Sequence, residues 1–411
     1  MRFIADLHIH SRYSRATSRE MSPESLWKWA QLKGISVIGT GDFTHPEWLK
    51  ELQKKLEPAG NGLFSLKKKL RGSDVPHSCR ADVHFLLTAE ISCIYSKNGK
   101  TRKVHSIVFV PDVAGAEKIN RALSQIGNLH SDGRPILGLD AKELLKIVLE
   151  AAPEAMLVPA HAWTPHFSVF GAASGFDSLE ECYEELTPHI HAIETGLSSD
   201  PPMNWRLSAL DGITLISNSD AHSPAKIGRE SNVFDTEISY RALIDALKTK
   251  KGFAGTIEFF PEEGKYHYDG HRACNACLSP KDTIVHDYLC PVCGKKMTIG
   301  VMHRVEKLAD RESGFKPDGA PGFTSIIPLA EIISETVKVG VNSKKVTALY
   351  HEVLEKIGCE FTVLLDASPD EIEKAGSPLL KEAIVRMRKG DIHIAPGYDG
   401  EFGRIQIFKD A

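Results

Sequence analysis

Between residue 3 and residue 260, short apolar runs alternate with amphipathic segments that carry their own start and stop signals, and this alternation constrains the fold more than any other feature. Residues 3–7, 35–40, 155–160, 191–196, 213–219 and 255–260 read as buried strands. Residues 83–90 and 104–111 read as a hairpin around the polar stretch KNGK. Ser22 with Pro23 opens a helix that Gly34 stops; Asp140 with Glu143 and Ser178 with Glu181 open two more. Strands separated by helices imply a mostly parallel α/β sheet, because parallel neighbours need a crossover connection. A count of about seven strands favours closure into a barrel.

The histidines and acids collect at one place in this pattern. His8 and His10 follow the first strand, and Asp42 and His45 follow the second. Glu90, His161, Glu194, and the pair Asp220 and His222 each end a later one. The C-terminal strand ends are where a (β/α) barrel gathers its chemistry. His105 begins its strand, but in an antiparallel hairpin that start lies beside the partner's end, next to Glu90. Any one of these residues alone reads as a strand-end histidine or a helix N-cap. Together they exceed the three or four ligands of one cation and point to two or three divalent ions, Zn, Mn or Mg. Such a cluster activates water as hydroxide and clamps both oxygens of an in-line phosphoryl displacement, with Glu90 suited to bridge.

Past residue 260 the character changes. Cys274-x2-Cys277 and Cys290-x2-Cys293, 12 residues apart, have the spacing of a zinc ribbon. Four thiolates leave no open coordination position, so that zinc is structural. A segment of this size could not bury enough core without it. Cys79, Cys93, Cys182 and Cys359 are scattered and read as free, mostly buried thiols. The remaining tail reads as helices followed by a short hairpin. The expected division is a barrel over 1–260, a four-cysteine zinc-ribbon region over 261–305 and a mainly helical region over 306–411.

Composition excludes several classes. With 42% hydrophobic residues, 25% charged and a net charge of −4, the chain is neither a generally basic nucleic-acid coat nor a membrane span. No charged segment followed by an apolar core begins the sequence, so the cytoplasm is the expected compartment. There is no GxxxxGK[ST], which speaks against a P-loop nucleotide site. Local basic runs do occur, as in KNGKTRK, where Lys100, Arg102 and Lys103 could meet phosphates.

DLHIHS and NSDAH resemble the PHP (polymerase and histidinol phosphatase) metal-dependent phosphoesterases over residues 1–260. The resemblance implies a distorted (β/α)7 barrel with up to three metals, held here by His8, His10, Asp42, Glu90, His105, His161, Asp220 and His222. His45 and Glu194 are further candidates. The chain departs from the family's pattern in two places. Phe43 follows Asp42 where a histidine is usual, and Arg15 stands where relatives often carry an acid or histidine.

A longer set of motifs is similar to the endonuclease Q family of DNA-repair enzymes: DLHIHSRYS, GTGDFTHPEW, HAWTPHFSVFG, NSDAHSP, the cysteine insert and GSPLLKEAIVRMRKGDIHIAPGYDGEFG. It implies a hydrolase that nicks DNA 5′ of uracil, hypoxanthine, xanthine or an abasic site by metal-activated hydroxide, leaving a 3′-hydroxyl and a 5′-phosphate. DNA is the expected partner, a replication clamp is a candidate one, and no membrane is involved. An enzyme that selects a damaged base must read it outside the stack. The loop 161–176 offers Trp163, His166, Phe167, Phe170 and Gly171 for such a pocket. Arg15 or Arg229 could assist at the phosphate. Two other readings stand beside this one, a histidinol-phosphatase-like phosphoesterase of small molecules and a non-catalytic DNA-binding scaffold.

Overall fold

The computed structural model describes residues 1–409 of the chain. Strand β1 (Arg2–Asp6) runs parallel to β2 (Val37–Gly39), which runs parallel to β3 (His84–Lys97). β3 returns antiparallel as β4 (Lys100–Val110) through Asn98 and Gly99, with φ of 53° and 71°. A two-residue Asn-Gly turn of this kind matches the right-handed twist of the strands it joins. The hairpin is longer than the sequence reading had it, because residues 91–103 also pair.

β5 (Met156–Pro159) continues the sheet antiparallel to β4. β6 (Ala192–Glu194) and β7 (Thr214–Ile216) form a parallel pair that fills the gap back to β1. The amide of Ala162 donates to the Glu194 carbonyl at 2.9 Å, and Ile9 bridges to Ala221. On its other edge β1 pairs antiparallel with β8 (Ser231–Asp235), and β8 with β9 (Phe253–Glu258). The result is the distorted α/β barrel that the family resemblance implies, but the mostly parallel sheet expected from the alternation is corrected: the β3–β4, β4–β5, β1–β8 and β8–β9 pairs are all antiparallel. Phe3, Ala5, Leu7, Leu86, Phe109, Val158 and Phe234 belong to one buried apolar cluster of this sheet.

The helices obey their local signals. Pro23–Lys33 starts at Ser22, whose hydroxyl accepts from the Ser25 amide, and stops at Gly34 with φ 92°. Ala141–Ala151 is capped by Asp140 and Leu179–Tyr183 by Ser178. The C-terminal helices Leu329–Val337, Lys344–Ile357, Pro369–Ala375 and Pro378–Lys389 pack into the same core as the barrel's outer layer. A buried ion pair, Lys33 to Glu360 at 2.7 Å, crosses that junction. The strand Gly322–Ser325 joins the barrel sheet beside β9. The last hairpin, His393–Ala395 with Arg404–Gln406, leans on the cysteine region through Asp399, which accepts from the Arg272 amide at 2.7 Å and the Thr298 hydroxyl at 2.6 Å. No helix among the described residues is long and apolar enough to cross a membrane.

Candidate metal centre

Six of the expected ligands form two clusters that share one carboxylate. His8, His10, Glu90 and Asp220 bring one donor atom each to within 4.8 Å of one another, and Glu90, His105 and His161 do the same. Glu90 sits at the junction, almost fully buried. Its Oε1 lies 2.6 Å from His105 Nδ1 and 3.0 Å from His161 Nε2. Its Oε2 lies 3.1 Å from His10 Nε2 and 3.6 Å from His8 Nε2. His105 faces Ser92 across the hairpin, one diagonal step from Glu90 on the same face.

The donors fit divalent cations. His8 Nε2, His10 Nε2 and Asp220 Oδ1 are buried with no hydrogen-bond partner. They nevertheless converge, with Asp220 Oδ1 at 3.0 Å from His10 Nε2 and 3.8 Å from His8 Nε2. Buried polar atoms without partners are expensive, and imidazole nitrogens with carboxylate oxygens suit Zn and Mn. Electrostatics agree. Burial alone would lower the pKa of His8 and His10, but Glu194 and Glu90 around the first, and Asp42 around the second, raise both well above the ordinary value. Burial would raise Glu90, yet His105, Arg134 and His8 hold it well below the carboxylate range. His105 goes the other way, pushed down to about 4 by burial. Strongly shifted titratable groups gathered at one rim are a mark of a functional site.

The other expected ligands stand outside both clusters. Asp42 turns Oδ1 to His10 Nδ1 at 3.1 Å, and Oδ2 accepts from the Ser11 amide (2.6 Å), the Ser11 hydroxyl (2.6 Å) and the Ser14 hydroxyl (2.8 Å). One oxygen of Asp42 thus faces the outer nitrogen of His10 and the other is held by Ser11 and Ser14, an arrangement that orients His10. Glu194 does the same for His8: Oε1 takes the Nδ1 contact at 3.0 Å and the Asn218 amide at 3.0 Å, and Oε2 accepts from the His161 backbone N–H at 2.7 Å. His222 turns Nδ1 to the Asp220 carbonyl at 2.9 Å, and its ring lies 4.4 Å from that of His10. His45 points away, stacked on Tyr13 at 4.3 Å with Nε2 3.3 Å from the His130 carbonyl.

The backbone at the rim is strained. Asp42 (φ 50°), His161 (φ 30°) and Asp220 (φ 46°) all lie in the left-handed region, which costs about 1–3 kcal/mol per non-glycine residue. Gly196 lets the next turn press against His161, since a Cβ there would sit 2.5 Å from the His161 Cβ.

The loop 161–176 is only partly the expected pocket. Trp163 and Phe170 are 1% exposed and pack on each other at 4.9 Å, with Trp163 Nε1 donating to Asn204 at 2.7 Å. They are core residues, and the stacking role expected of them is corrected. Phe167 is half-buried with its ring 4.7 Å from His105, and His166 is exposed. Lys103 lies over Phe167 at 5.2 Å, and Lys100 is exposed. Arg102 is buried against the Phe176 ring and the Gly175 carbonyl, so it braces the loop. Arg304, which sequence reasoning missed, braces it from the helix Val301–Leu308 by donating to the carbonyls of Phe170 (2.9 Å) and Phe176 (2.8 Å). A groove of about 790 Å³ lies here, lined by Lys100, Arg102, Gly171, Ser174, Arg304 and Lys307.

Of the two arginines suggested by position, Arg15 is 78% exposed and pairs with Asp132, and Arg229 holds the carbonyls of Ser219 (2.8 Å) and Asp220 (3.4 Å). The arginine that reaches the clusters is Arg134, with Nη1 2.9 Å from Glu90 Oε2. No motif surrounds it, so the sequence carried no signal for it.

The cysteine site also differs from expectation. The quartet whose donors converge is His271, Cys274, Cys290 and Cys293, with Cys293 Sγ 3.7 Å from His271 Nδ1. Cys277, expected as the fourth ligand, is outside it. It pairs with Gly270 across a small hairpin and shares that residue's face, over which the Tyr398 ring packs. His271 and Ala276 take the opposite face. The signal was present in a different frame: H-x-x-C-N (271–275) and C-x-x-C-G (290–294) each end in a left-handed residue, Asn275 at φ 51° and Gly294 at φ 70°. Three thiolates and an imidazole make a closed tetrahedral zinc shell as four thiolates do.

Comparison with known proteins completes the picture. The family model of the MJ0043 C-terminal domain matches residues 328–391. The uncharacterized protein MJ0043 of Methanocaldococcus jannaschii is 35% identical over 255 residues, 60% of this chain; the chain spans only 31% of that longer protein. The crystal structure of a lesion-specific endonuclease from Pyrococcus furiosus superposes with a TM-score of 0.86 at 31% identity, covering 100% of this chain and 98% of that one. Endonuclease Q in complex with a 27-mer duplex carrying an abasic lesion at the active site superposes at 0.84, again at 31% identity, over 100% and 97%.

Proposed function

The chain belongs to the endonuclease Q family, and from that premise we propose that it is a metal-dependent DNA-repair endonuclease. It cuts the phosphodiester 5′ of a deaminated base (uracil, hypoxanthine or xanthine) or an abasic site, leaving a 3′-hydroxyl and a 5′-phosphate. The observation that carries this reading is the sharing of Glu90 between two ligand clusters, the arrangement that phosphodiester hydrolysis by paired cations requires.

His8, His10, Glu90 and Asp220 would hold one cation, and Glu90, His105 and His161 the other. Bound there, divalent cations supply an activated water and Lewis-acid stabilisation of the phosphate. The chain's own residues do the rest. Glu194 and Asp42 lock the tautomers of His8 and His10 so that Nε2 of each faces inward. Phe167 presents a ring beside His105 on which an unstacked base can lie. Lys100 and Lys103 contact backbone phosphates, and the loop 161–176 is held over the rim by Arg102 and Arg304. The division into barrel (1–260), zinc region (261–305) and helical region (306–411) assigns the second a structural role.

The test is a nicking assay on end-labelled duplexes containing uracil, hypoxanthine, an abasic site or only normal bases, with Mg²⁺, Mn²⁺ or Zn²⁺ and then EDTA. A metal-dependent nick 5′ to the lesion is expected. Turnover of a small phosphomonoester without any nick would overturn the reading in favour of a small-molecule phosphatase. Binding without hydrolysis would leave only a scaffold.

A further inference from the structure

The rim holds a fixed cation besides any metal. Arg134 ends a loop pinned from three sides. Gly133 donates its N–H to the Tyr13 carbonyl at 3.0 Å, its own carbonyl accepts the Thr44 hydroxyl at 3.1 Å, and the Arg134 amide donates to Asp132 at 3.1 Å. A Cβ at position 133 would collide with Asp42 Oδ2 and Ser14 Oγ, so the backbone lies directly against the site.

From this mount the guanidinium reaches Glu90 Oε2, the oxygen that also faces His8 and His10. Among the described residues this is its only hydrogen bond, and the side chain is 28% exposed. Nε and Nη2 have no hydrogen-bond partner among the described residues and so remain available to a ligand. Arg15 and Arg229 are differently placed, the first turned to Asp132 and the second to backbone carbonyls. A planar fork of N–H groups matches two oxygens of a phosphate, and it gains most where negative charge grows during displacement.

We propose that Arg134 is a catalytic residue whose free N–H edge binds the non-bridging oxygens of the scissile phosphodiester, supplying a fixed positive charge beside those of the bound cations. It transfers no proton and holds the phosphate while Glu90 keeps it in place. The inference rests on the nuclease reading above.

The experiment compares wild type with Arg134→Ala and Arg134→Lys in single-turnover nicking of a uracil duplex at saturating enzyme. Bound metal is measured by mass spectrometry, and each assay is repeated with added guanidinium ion. Arg134→Ala should nick about 10²–10³-fold more slowly with wild-type metal content, and guanidinium should restore part of the rate. Arg134→Lys should stay slow, because an ammonium lacks the fork. An unchanged rate in Arg134→Ala overturns the inference alone. A slow variant that has lost metal, or that guanidinium does not rescue, makes Arg134 a structural partner of Glu90 and also overturns it. A wild type that nicks neither damaged nor normal DNA overturns the functional reading itself.

Discussion

His8 directs Nδ1 to Glu194 at 3.0 Å and leaves Nε2 buried and unpartnered, facing Glu90 and Asp220. This is the carboxylate–histidine pairing that fixes a ligand's tautomer before the metal arrives. Glu194→Gln should weaken binding of a barrel cation by about 10–100-fold, because an amide can donate to Nδ1 and turn the ring proton to the wrong side. Competition with a chromogenic chelator measures it. Unchanged affinity would show that Glu194 plays no part in preparing His8.

The converging donors at the cysteine site set His271 apart from Cys277. His271→Ala should lose one equivalent of zinc and lower the thermal midpoint, since metal binding contributes directly to folding in a segment with so small a core. Cys277→Ser should keep the zinc. Zinc per chain in the two purified variants decides it, and the reverse pattern would restore the four-thiolate arrangement.

Arg304 is 8% exposed and satisfies two loop carbonyls and Asp177. Arg304→Ala leaves those carbonyls buried without donors, at a cost of about 2–4 kcal/mol in stability. Urea unfolding reads the loss, and hydrogen exchange should rise first in residues 166–176. If exchange there stays at the wild-type rate, the helix does not hold the loop.

Glu258 gives a pH dependence of known sign. Burial pushes its carboxyl up to about 8, against the hydroxyls of Thr256, Ser217 and Thr195 and with the help of Asp200. Its partner in the pair, Glu230, is also raised well above the ordinary range by burial and by Glu258. A raised folded pKa means that the folded state holds its proton where the unfolded chain has released it. The stability contribution is therefore full below pH 4.5, the ordinary value, and is lost as pH climbs towards 8. Denaturation midpoints measured across that range should fall with rising pH, and Glu258→Gln should flatten the curve. A wild-type curve that rises over the same window would contradict the burial argument.

Much of the site was legible because its residues announce themselves by position. His8, His10, Glu90, His105, His161 and Asp220 all follow or flank apolar strands, and a barrel brings such positions to one rim. Trp163 and Phe170 misled for a reason of scale. An aromatic residue in a long loop reads as a contact surface, but these two side chains are drawn into the main apolar core of the chain.

Sequence alone determined most of the strands that carry the site, several capped helix starts and the set of histidines and acids at strand ends, because these depend on neighbours along the chain. β8 and the helices Pro46–Lys55, Val113–Leu123 and Tyr240–Thr249 were not read from the sequence. Tertiary structure decided which of those donor atoms converge and which lie against a histidine's outer nitrogen, as those of Asp42 and Glu194 do. It also decided the face on which Cys277 falls and the arrival of Arg134 at Glu90, 44 residues away. Those outcomes turn on hydrogen-bond partners and on the two-residue alternation of a paired strand, and neither exists until the chain has closed on itself.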